Sequence, residues 1–312
     1  MRRQDRAEFL WITFAALVAL AAAPTVATAD DTETCARQSG EVAIAACSRA
    51  IGSGRYKENN LATLYNNRGL EYYNKRELDR AIVDYNQAIR IDPKFVPAYN
   101  NRGNAWFDNA DLDRALADYN EAIRLDPKYA YAYNSRGNTW SDKGDFDRAL
   151  ADYNEAIRLD PKYAHAYSNR GITWKDKGEF DDAIADYNEA IRLDPNDALA
   201  YNNRGWAYYN KRDLDRAIAD YIEAIGLDPK CALTFKNLGD AYQEKGDLGR
   251  AIAGYNEALR INPKQAPTYF NRGSAYRRKG MTQEAIADYR KALELDPTLA
   301  QARDRLRELG AL

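Results

Sequence analysis

Residues 96–129 read VPAYNNRGNAWFDNADLDRALADYNEAIRLDPKY, and this stretch decides the fold because close copies of it fill most of the chain. A glycine recurs at the same step of 34 residues in seven copies: Gly69, Gly103, Gly137, Gly171, Gly205, Gly239 and Gly273. A proline keeps the same step, from Pro93 to Pro297. No insertion or deletion interrupts this register, which indicates a tandem repeat array.

The first half of this copy has the spacing of an amphipathic helix. Tyr99, Gly103 and Trp106 follow one another at steps of four and three residues, and so share one helical face. Glycine is a poor helix former, so its place in the middle of this face needs a packing reason. We expect Gly103 to lack a side chain because a second helix approaches closely there.

The second half predicts a second helix of similar length. It presents Ala115, Tyr119 and Ala122 on one face, a small–large–small pattern suited to close helix packing. Asp113 is the expected N-cap, because its carboxylate can accept hydrogen bonds from free backbone N–H groups. The helix should end at Asp126, because a residue that precedes proline is pushed out of the helical region.

These spacings resemble the consensus of the tetratricopeptide repeat in all seven copies. The resemblance implies an all-α fold, a right-handed superhelical solenoid of antiparallel helix pairs with a concave groove lined mainly by the first helices. Residues 62–299 divide into seven repeats, 62–95, 96–129, 130–163, 164–197, 198–231, 232–265 and 266–299. Residues 30–61 predict a divergent N-terminal helical unit, and residues 300–312 a charged C-terminal capping helix.

Residues 1–29 have the features of a signal peptide. Three arginines precede an apolar run of 15 residues, 9–23, which is shorter than the ~20 that a membrane-spanning helix needs. Small residues then lead to a predicted cleavage after Ala29. The sequence therefore predicts an exported protein, periplasmic or secreted, with no membrane span after cleavage; a retained N-terminal anchor is the alternative.

Two of the three cysteines, Cys35 and Cys47, lie in the divergent N-terminal unit. An oxidising compartment favours a disulfide between them. On one continuous helix they would be ~18 Å apart, too far for a disulfide, so a bridge needs a chain reversal near Ser39 and Gly40. The alternative is two buried thiols that pack as small hydrophobic side chains. Cys231 stands alone and is interpreted as a tolerated substitution.

Composition argues against catalysis and against nucleic-acid binding. The predicted mature chain has a net charge of −3, which provides no basic surface for nucleic acid. A single histidine, His165, is too few for a catalytic triad or a histidine metal cluster. Asp-x-Asp pairs such as Asp111 and Asp113 recur at the same repeat position, where helix capping explains them. The sequence predicts no enzyme, no cofactor and no metal site.

An arginine before the repeat glycine recurs together with an aspartate sixteen residues later. The six pairs are Arg68 with Asp84, Arg102 with Asp118, Arg136 with Asp152, Arg170 with Asp186, Arg204 with Asp220 and Arg272 with Asp288. The sixth repeat loses both members, having Leu238 and Gly254. We therefore expect each pair to bridge the two helices of one repeat.

The partner-binding surface is predicted on the face of the first helices that varies between repeats. In repeat two this variable row is Pro97, Asn100, Asn104 and Phe107, and the family resemblance places such a row in the groove. An asparagine two residues before the repeat glycine in six repeats, replaced by Ser135 in one, resembles the asparagine ladder of O-linked N-acetylglucosamine transferases, which implies contacts to a peptide backbone. The candidate groove residues are Asn67, Tyr73, Asn100, Asn101, Asn104, Phe107, Asn134, Asn138, His165, Asn169, Asn202, Asn203, Trp206, Tyr209, Asn237 and Asn271. Drift at exposed positions is the alternative explanation for the variation at any single residue.

The sequence thus predicts an exported scaffold whose groove binds an extended or helical segment of a protein or peptide partner. Large aromatic side chains in the variable row, such as Trp206 and Tyr209, are the residue types that anchor interfaces. Two alternatives remain: a structural envelope protein that self-associates, and a regulatory subunit of an envelope enzyme complex.

Overall fold

A computed structural model describes residues 29–312, which form helices and no strands. The seventeen helices of this part are α1 Ala29–Arg37, α2 Gly40–Gly52, α3 Glu58–Asn74, α4 Leu78–Ile91, α5 Val96–Asp108, α6 Leu112–Leu125, α7 Ala130–Asp142, α8 Phe146–Leu159, α9 Ala164–Lys177, α10 Phe180–Leu193, α11 Ala198–Asn210, α12 Leu214–Leu227, α13 Ala232–Lys245, α14 Leu248–Ile261, α15 Ala266–Arg278, α16 Thr282–Leu295 and α17 Ala300–Glu308. The predicted signal segment lies outside the described residues, apart from Ala29, where α1 begins. From α3 to α16, each repeat contributes a first and a second helix in turn.

The second helices supply the core of each repeat. In α6, Ala115, Tyr119 and Ala122 are almost completely buried, and the helix ends at Leu125 with Asp126 as its C-cap. The equivalent tyrosine is fully buried in every repeat, from Tyr85 to Tyr289. The predicted packing face and the stop before proline are both confirmed.

The repeat glycine receives this tyrosine ring. A Cβ atom added at Gly103 would lie 2.6 Å from Cε1 of Tyr119, well inside van der Waals contact. In all seven repeats, the equivalent tyrosine ring lies within 3.0 Å of a Cβ atom added at the repeat glycine. The expected close approach is therefore confirmed, and its cause is an aromatic ring filling the space of the missing side chain.

The predicted N-cap is wrong by two residues. Asp111, not Asp113, caps α6, and its carboxylate accepts a hydrogen bond from the backbone N–H of Arg114 at 3.0 Å. Leu112 already lies in the helix, so the cap must precede it. Asp113 instead pairs with Lys143 of the next repeat, with Nζ 3.0 Å from Oδ1. The two aspartates thus have different structural roles, one within a repeat and one between repeats.

The described residues divide into two compact units, 29–98 and 99–312. In the described part of the first unit, Cys35 and Cys47 form a disulfide with a Cα–Cα distance of 4.9 Å. Ser39 occupies the N-cap position of α2, and Gly40 has a φ of +65°, which favours glycine. The chain reversal that a bridge requires therefore lies where the sequence indicated it. The N–H of Gly40 also donates to Oε2 of Glu71 at 2.6 Å, which joins α2 to α3.

The second unit is a stack of helix pairs. Each second helix from α6 to α14 contacts the first helix of the following repeat, and α16 contacts the short helix α17. In α17, Ala302 and Leu306 are buried, while Arg305 and Arg307 point outward and are exposed. This helix covers the apolar side of the last repeat with a charged outer face.

Candidate functional site

The first helices line the inner side of the second unit. Successive first helices contact each other, from α7 with α9 to α13 with α15, whereas each second helix contacts first helices. In a curved stack of repeats, equivalent helices of neighbouring repeats come closest to each other on the inner side. The variable row, which runs along the first helices, is therefore the candidate binding surface of this unit.

The ninth position of each repeat, a part of the variable row, decides whether the core tyrosine has a hydrogen-bond partner. Where it is Asn104, Asn138 or Asp240, the tyrosine hydroxyl donates to its side-chain oxygen at 2.8 to 2.9 Å. Where it is Ile172, the hydroxyl of Tyr187 is buried and has no hydrogen-bond partner in the described part of the chain. Burial raises the pKa of Tyr153, Tyr187 and Tyr255, so their hydroxyl groups stay protonated.

Several candidate asparagines form rungs between consecutive repeats. Asn169 donates from Nδ2 to Oδ1 of Asn134 at 3.0 Å, and Asn237 donates to Asn202 at 3.1 Å. Asn271 donates to Asp240 at 2.8 Å. These amides are engaged within the protein, so their hydrogen-bond capacity for a partner is reduced.

Burial divides the candidate groove residues into three groups. Almost completely buried are Asn100, Asn134, Asn202 and Asn237. Half-buried are Asn67, Tyr73, Asn101, Asn104, Phe107, Asn138, Asn169, Asn203, Trp206, Tyr209 and Asn271. His165 is exposed. The half-buried and exposed side chains are the ones that a partner can reach without repacking the helices.

The two predicted anchors differ in their surroundings. The ring of Trp206 packs edge-on against Phe180 at 5.7 Å, and Nζ of Lys175 lies 5.5 Å from its centroid. Tyr209 packs against a buried cluster that includes Tyr208 and Tyr242. Tyr209 therefore supports the core as well as facing the inner side, whereas Trp206 lies between side chains of the surface.

The sequence does not by itself single out a set of exposed apolar side chains at the second position of repeats three, five and six. Tyr131 is 50 % exposed, Leu199 59 % and Leu233 52 %. They begin the same helical stripe as Pro97 in repeat two and His165 in repeat four. The sequence contains a signal for this set, because large apolar residues occupy the first position of the variable row in three repeats.

An aromatic cluster extends this stripe. The ring of Tyr131 lies 5.5 Å from that of Tyr129 and 5.0 Å from that of Tyr163, and Tyr163 is in edge contact with His165 at 6.1 Å. Aromatic side chains in this arrangement hold one another in place, which lowers the entropy lost when a partner packs on them.

Among residues 31–312, whose side chains are described, no group of three or more His, Cys, Asp or Glu is placed to hold a metal ion. In the same part of the chain, no helix combines the length and apolar character that crossing a membrane requires.

Family models match more than half of the chain. The tetratricopeptide repeat model matches residues 62–95, 96–129, 130–163, 198–231 and 266–299, and a second TPR repeat model matches residues 175–211 and 239–280. No curated protein sequence matches the chain.

Solved structures share the fold. The Cut9–Hcn1 hetero-tetramer of the APC/C matches with a TM-score of 0.68 and 20% identity, over 85% of this chain and 52% of that one. This chain thus spans about half the length of that relative. PilW, a type IV pilus biogenesis factor, has a TM-score of 0.63 and 18% identity, over 68% of this chain and 98% of its own.

A third structure is closer in sequence but covers less of the chain. MamA has 32% identity and a TM-score of 0.50, over 53% of this chain and 96% of its own. The matched repeat models, the helix pairs in chain order and these structures agree. The chain belongs to the tetratricopeptide repeat family.

Proposed function

We propose that this chain is an exported scaffold that binds an extended or helical segment of a partner protein along the inner side of its second unit. The family's fold in general supports protein–protein interaction and binds protein or peptide partners. The observation that carries the specific proposal is the set of partly exposed apolar side chains on three first helices, Tyr131 on α7, Leu199 and Trp206 on α11, and Leu233 on α13. Apolar residues repeated along one face indicate an interaction surface.

The charges of the same face are compatible with a peptide segment. Lys236 is already paired with Asp240 at 2.8 Å, and Lys175 with Asp176 at 3.2 Å. The basic groups of the row are thus neutralised by the protein itself, which argues against recognition of acidic peptide ends.

Affinity capture from the exported fraction tests this proposal. The wild type is compared with Leu199→Ser/Leu233→Ser, two exposed side chains whose loss leaves the core intact, and with Trp206→Ala/Tyr209→Ala. The matched control is Ile222→Ser, an exposed apolar side chain on the second helix α12. Both inner-side variants should lose the captured partner while the control keeps it; equal capture by all three variants would overturn the proposal.

Export is part of the proposal and has its own test. The Cys35–Cys47 disulfide supports it, because structural disulfides persist in oxidising compartments. We expect the protein in the exported fraction to begin at Asp30 by N-terminal sequencing. Recovery of the full-length chain in the membrane fraction would favour the retained anchor instead.

Self-association is the competing function. The charged outer face of α17 disfavours end-to-end stacking at the C-terminal end of the array. Light scattering on the mature protein distinguishes the two: a molar mass that is constant with concentration fits the scaffold, and a rising mass fits self-assembly.

A further inference from the structure

A cavity opens between the first helices of repeats two, three and four. Its volume is about 190 Å³, and its walls come from Phe107 on α5, Asn138, Ser141 and Asp142 on α7, and Ile172 on α9. This volume is below the ~300 Å³ at which sites for drug-sized ligands begin, and so suits one side chain of a partner.

The carboxylate of Asp142, in the wall of this cavity, is not paired with a lysine or arginine of the described residues. The residue is exposed, partial desolvation by the surrounding protein raises the pKa of its carboxyl group, and no hydrogen bond or ion pair of this carboxylate is found among the described residues. Burial also raises the pKa of Asp118 and Asp186, but an arginine holds each of those carboxylates. Asp142 thus presents an exposed carboxylate in the wall of the cavity, where a cation supplied by a ligand can pair with it.

The backbone adds to the attraction for positive charge. Asp142 is the last residue of α7 and so lies at the negative end of the helix dipole. A carboxylate at this end is unfavourable for the free protein, whereas a cation placed beside it interacts favourably with both groups.

The remaining walls suit an aliphatic stem that ends in a cation. Phe107 and Ile172 provide apolar surface for methylene groups, and the ring of Phe107 can face a positive charge. Oδ1 of Asn138 already accepts the hydroxyl proton of Tyr153 at 2.8 Å, which holds this wall in place. No lysine or arginine lines the cavity.

We propose that this cavity takes a lysine or arginine side chain of the partner segment, with its cationic end at the carboxylate of Asp142. The inference rests on the proposed function and specifies its ligand: a segment with one basic residue seated between repeats two and four. The exposed side chains of Leu199 and Leu233 then contact apolar residues of the partner segment on one side of this basic residue.

An oriented peptide library tests the inference with the full mature chain. The library has random flanking positions and a central residue fixed as lysine, arginine, citrulline or norleucine. Wild type should retain the lysine and arginine pools about tenfold better than the neutral pools, as expected for a charge-assisted contact. Equal retention of charged and neutral pools would overturn the inference while leaving groove binding intact.

Two variants test whether the preference for basic residues arises at this cavity. Asp142→Asn should abolish the preference for basic residues and leave the melting temperature unchanged or higher, because the carboxylate has no partner to lose. Asp176→Asn is the matched control at the same position of the next repeat, where Lys175 already neutralises the acid. The control should keep the preference; its loss in both variants would mean that general acidity, not this cavity, selects the ligand.

A small probe separates this inference from the proposed function. Backbone amide shifts of Asn138 to Asp142 are recorded by NMR during titration with n-butylammonium, with n-butanol as the neutral comparison. Saturable shifts with the ammonium ion only, absent in Asp142→Asn, support the cavity even if no peptide pool binds. Absence of ammonium-specific shifts refutes it, and failure of all peptide pools refutes the proposed function.

Discussion

The guanidinium group of Arg136 donates hydrogen bonds to both carboxylate oxygens of Asp152, from Nε to Oδ2 at 2.8 Å and from Nη2 to Oδ1 at 2.7 Å. The pair joins α7 to α8 within one repeat, and all six pairs expected from the sequence form in the same bidentate way. The remaining nitrogen, Nη1, donates to Oδ1 of Asn120 at 2.6 Å, on the second helix of the preceding repeat. One arginine therefore ties three helices together.

The sixth repeat shows what replaces this network. Leu238 stands in place of the arginine and Gly254 in place of the aspartate, and Ile222 occupies the position of the asparagine. A Cβ atom added at Gly254 would lie 3.1 Å from the backbone of Gly239, so the two helices are close together there. The three polar members are lost together, as expected if each leaves the others unsatisfied.

We expect the network in repeat three to behave as one unit. Arg136→Leu and Asp152→Gly should each lower the free energy of unfolding by about 2 kcal/mol, because each leaves a charged partner unsatisfied. The double variant should cost less than the sum, and adding Asn120→Ile should recover part of the loss. Urea denaturation measures all four; strict additivity would show that the three side chains are independent.

The hydroxyl groups of two equivalent core tyrosines should have opposite effects. Tyr153→Phe removes the hydrogen bond to Asn138 and should cost about 1 kcal/mol. Tyr187→Phe removes a buried hydroxyl that has no partner, and should be neutral or stabilising. The two variants make the same chemical change at the same repeat position, so a similar loss of stability in both would contradict the assigned hydrogen bonds.

A missing rung should be repairable. The side-chain oxygen of Asn100 is buried and has no hydrogen-bond partner within residues 29–312. The residue 35 positions later, where Asn169 and Asn237 supply a rung to Asn134 and Asn202, is Ser135. Ser135→Asn should raise stability by about 1 kcal/mol by satisfying this oxygen. Ser135→Ala serves as the control and should produce no gain; thermal unfolding that ranks the two variants equally would count against the rung.

Glycine-to-alanine substitutions should separate close packing from helix propensity. At Gly137 the added methyl group would lie 2.7 Å from the ring of Tyr153, so Gly137→Ala should destabilise by about 1 to 3 kcal/mol. Gly226 lies in α12 with nothing within 4 Å of the added atom, and Gly226→Ala should stabilise by up to about 1 kcal/mol. A loss of the same size at both sites, by urea denaturation, would exclude the tyrosine ring as the cause.

Reduction of the disulfide should loosen the N-terminal helix pair. The bridge closes a loop with a sequence separation of 12, and its loss should cost about 2 to 3 kcal/mol locally. Hydrogen exchange should therefore become faster in α1 and α2 on addition of dithiothreitol, while α7 to α16 stay protected. The Cys35→Ser/Cys47→Ser variant should not respond to the reductant.

Relationships within one repeat could be predicted before any coordinates. The register of 34 residues identified helix pairs, and the joint loss at Leu238 and Gly254 indicated the arginine–aspartate bridge. The glycine face and the stop at Asp126 followed from helix propensity and from the restriction that proline imposes. Such features recur in every copy, so a periodic sequence displays them directly.

Relationships between repeats needed the packed structure. The sequence could not tell that Asp111 caps a helix while Asp113 reaches Lys143, because both aspartates suit a cap. It placed Asn100 and Asn202 in an accessible groove, whereas stacking buries them. It also missed the uncompensated Asp142, because the cations near an acid depend on which side chains of adjacent helices come within a few ångströms. The repeated pattern determines how one helix pair is built; the distances between successive pairs determine which polar groups are satisfied and which remain available to a ligand.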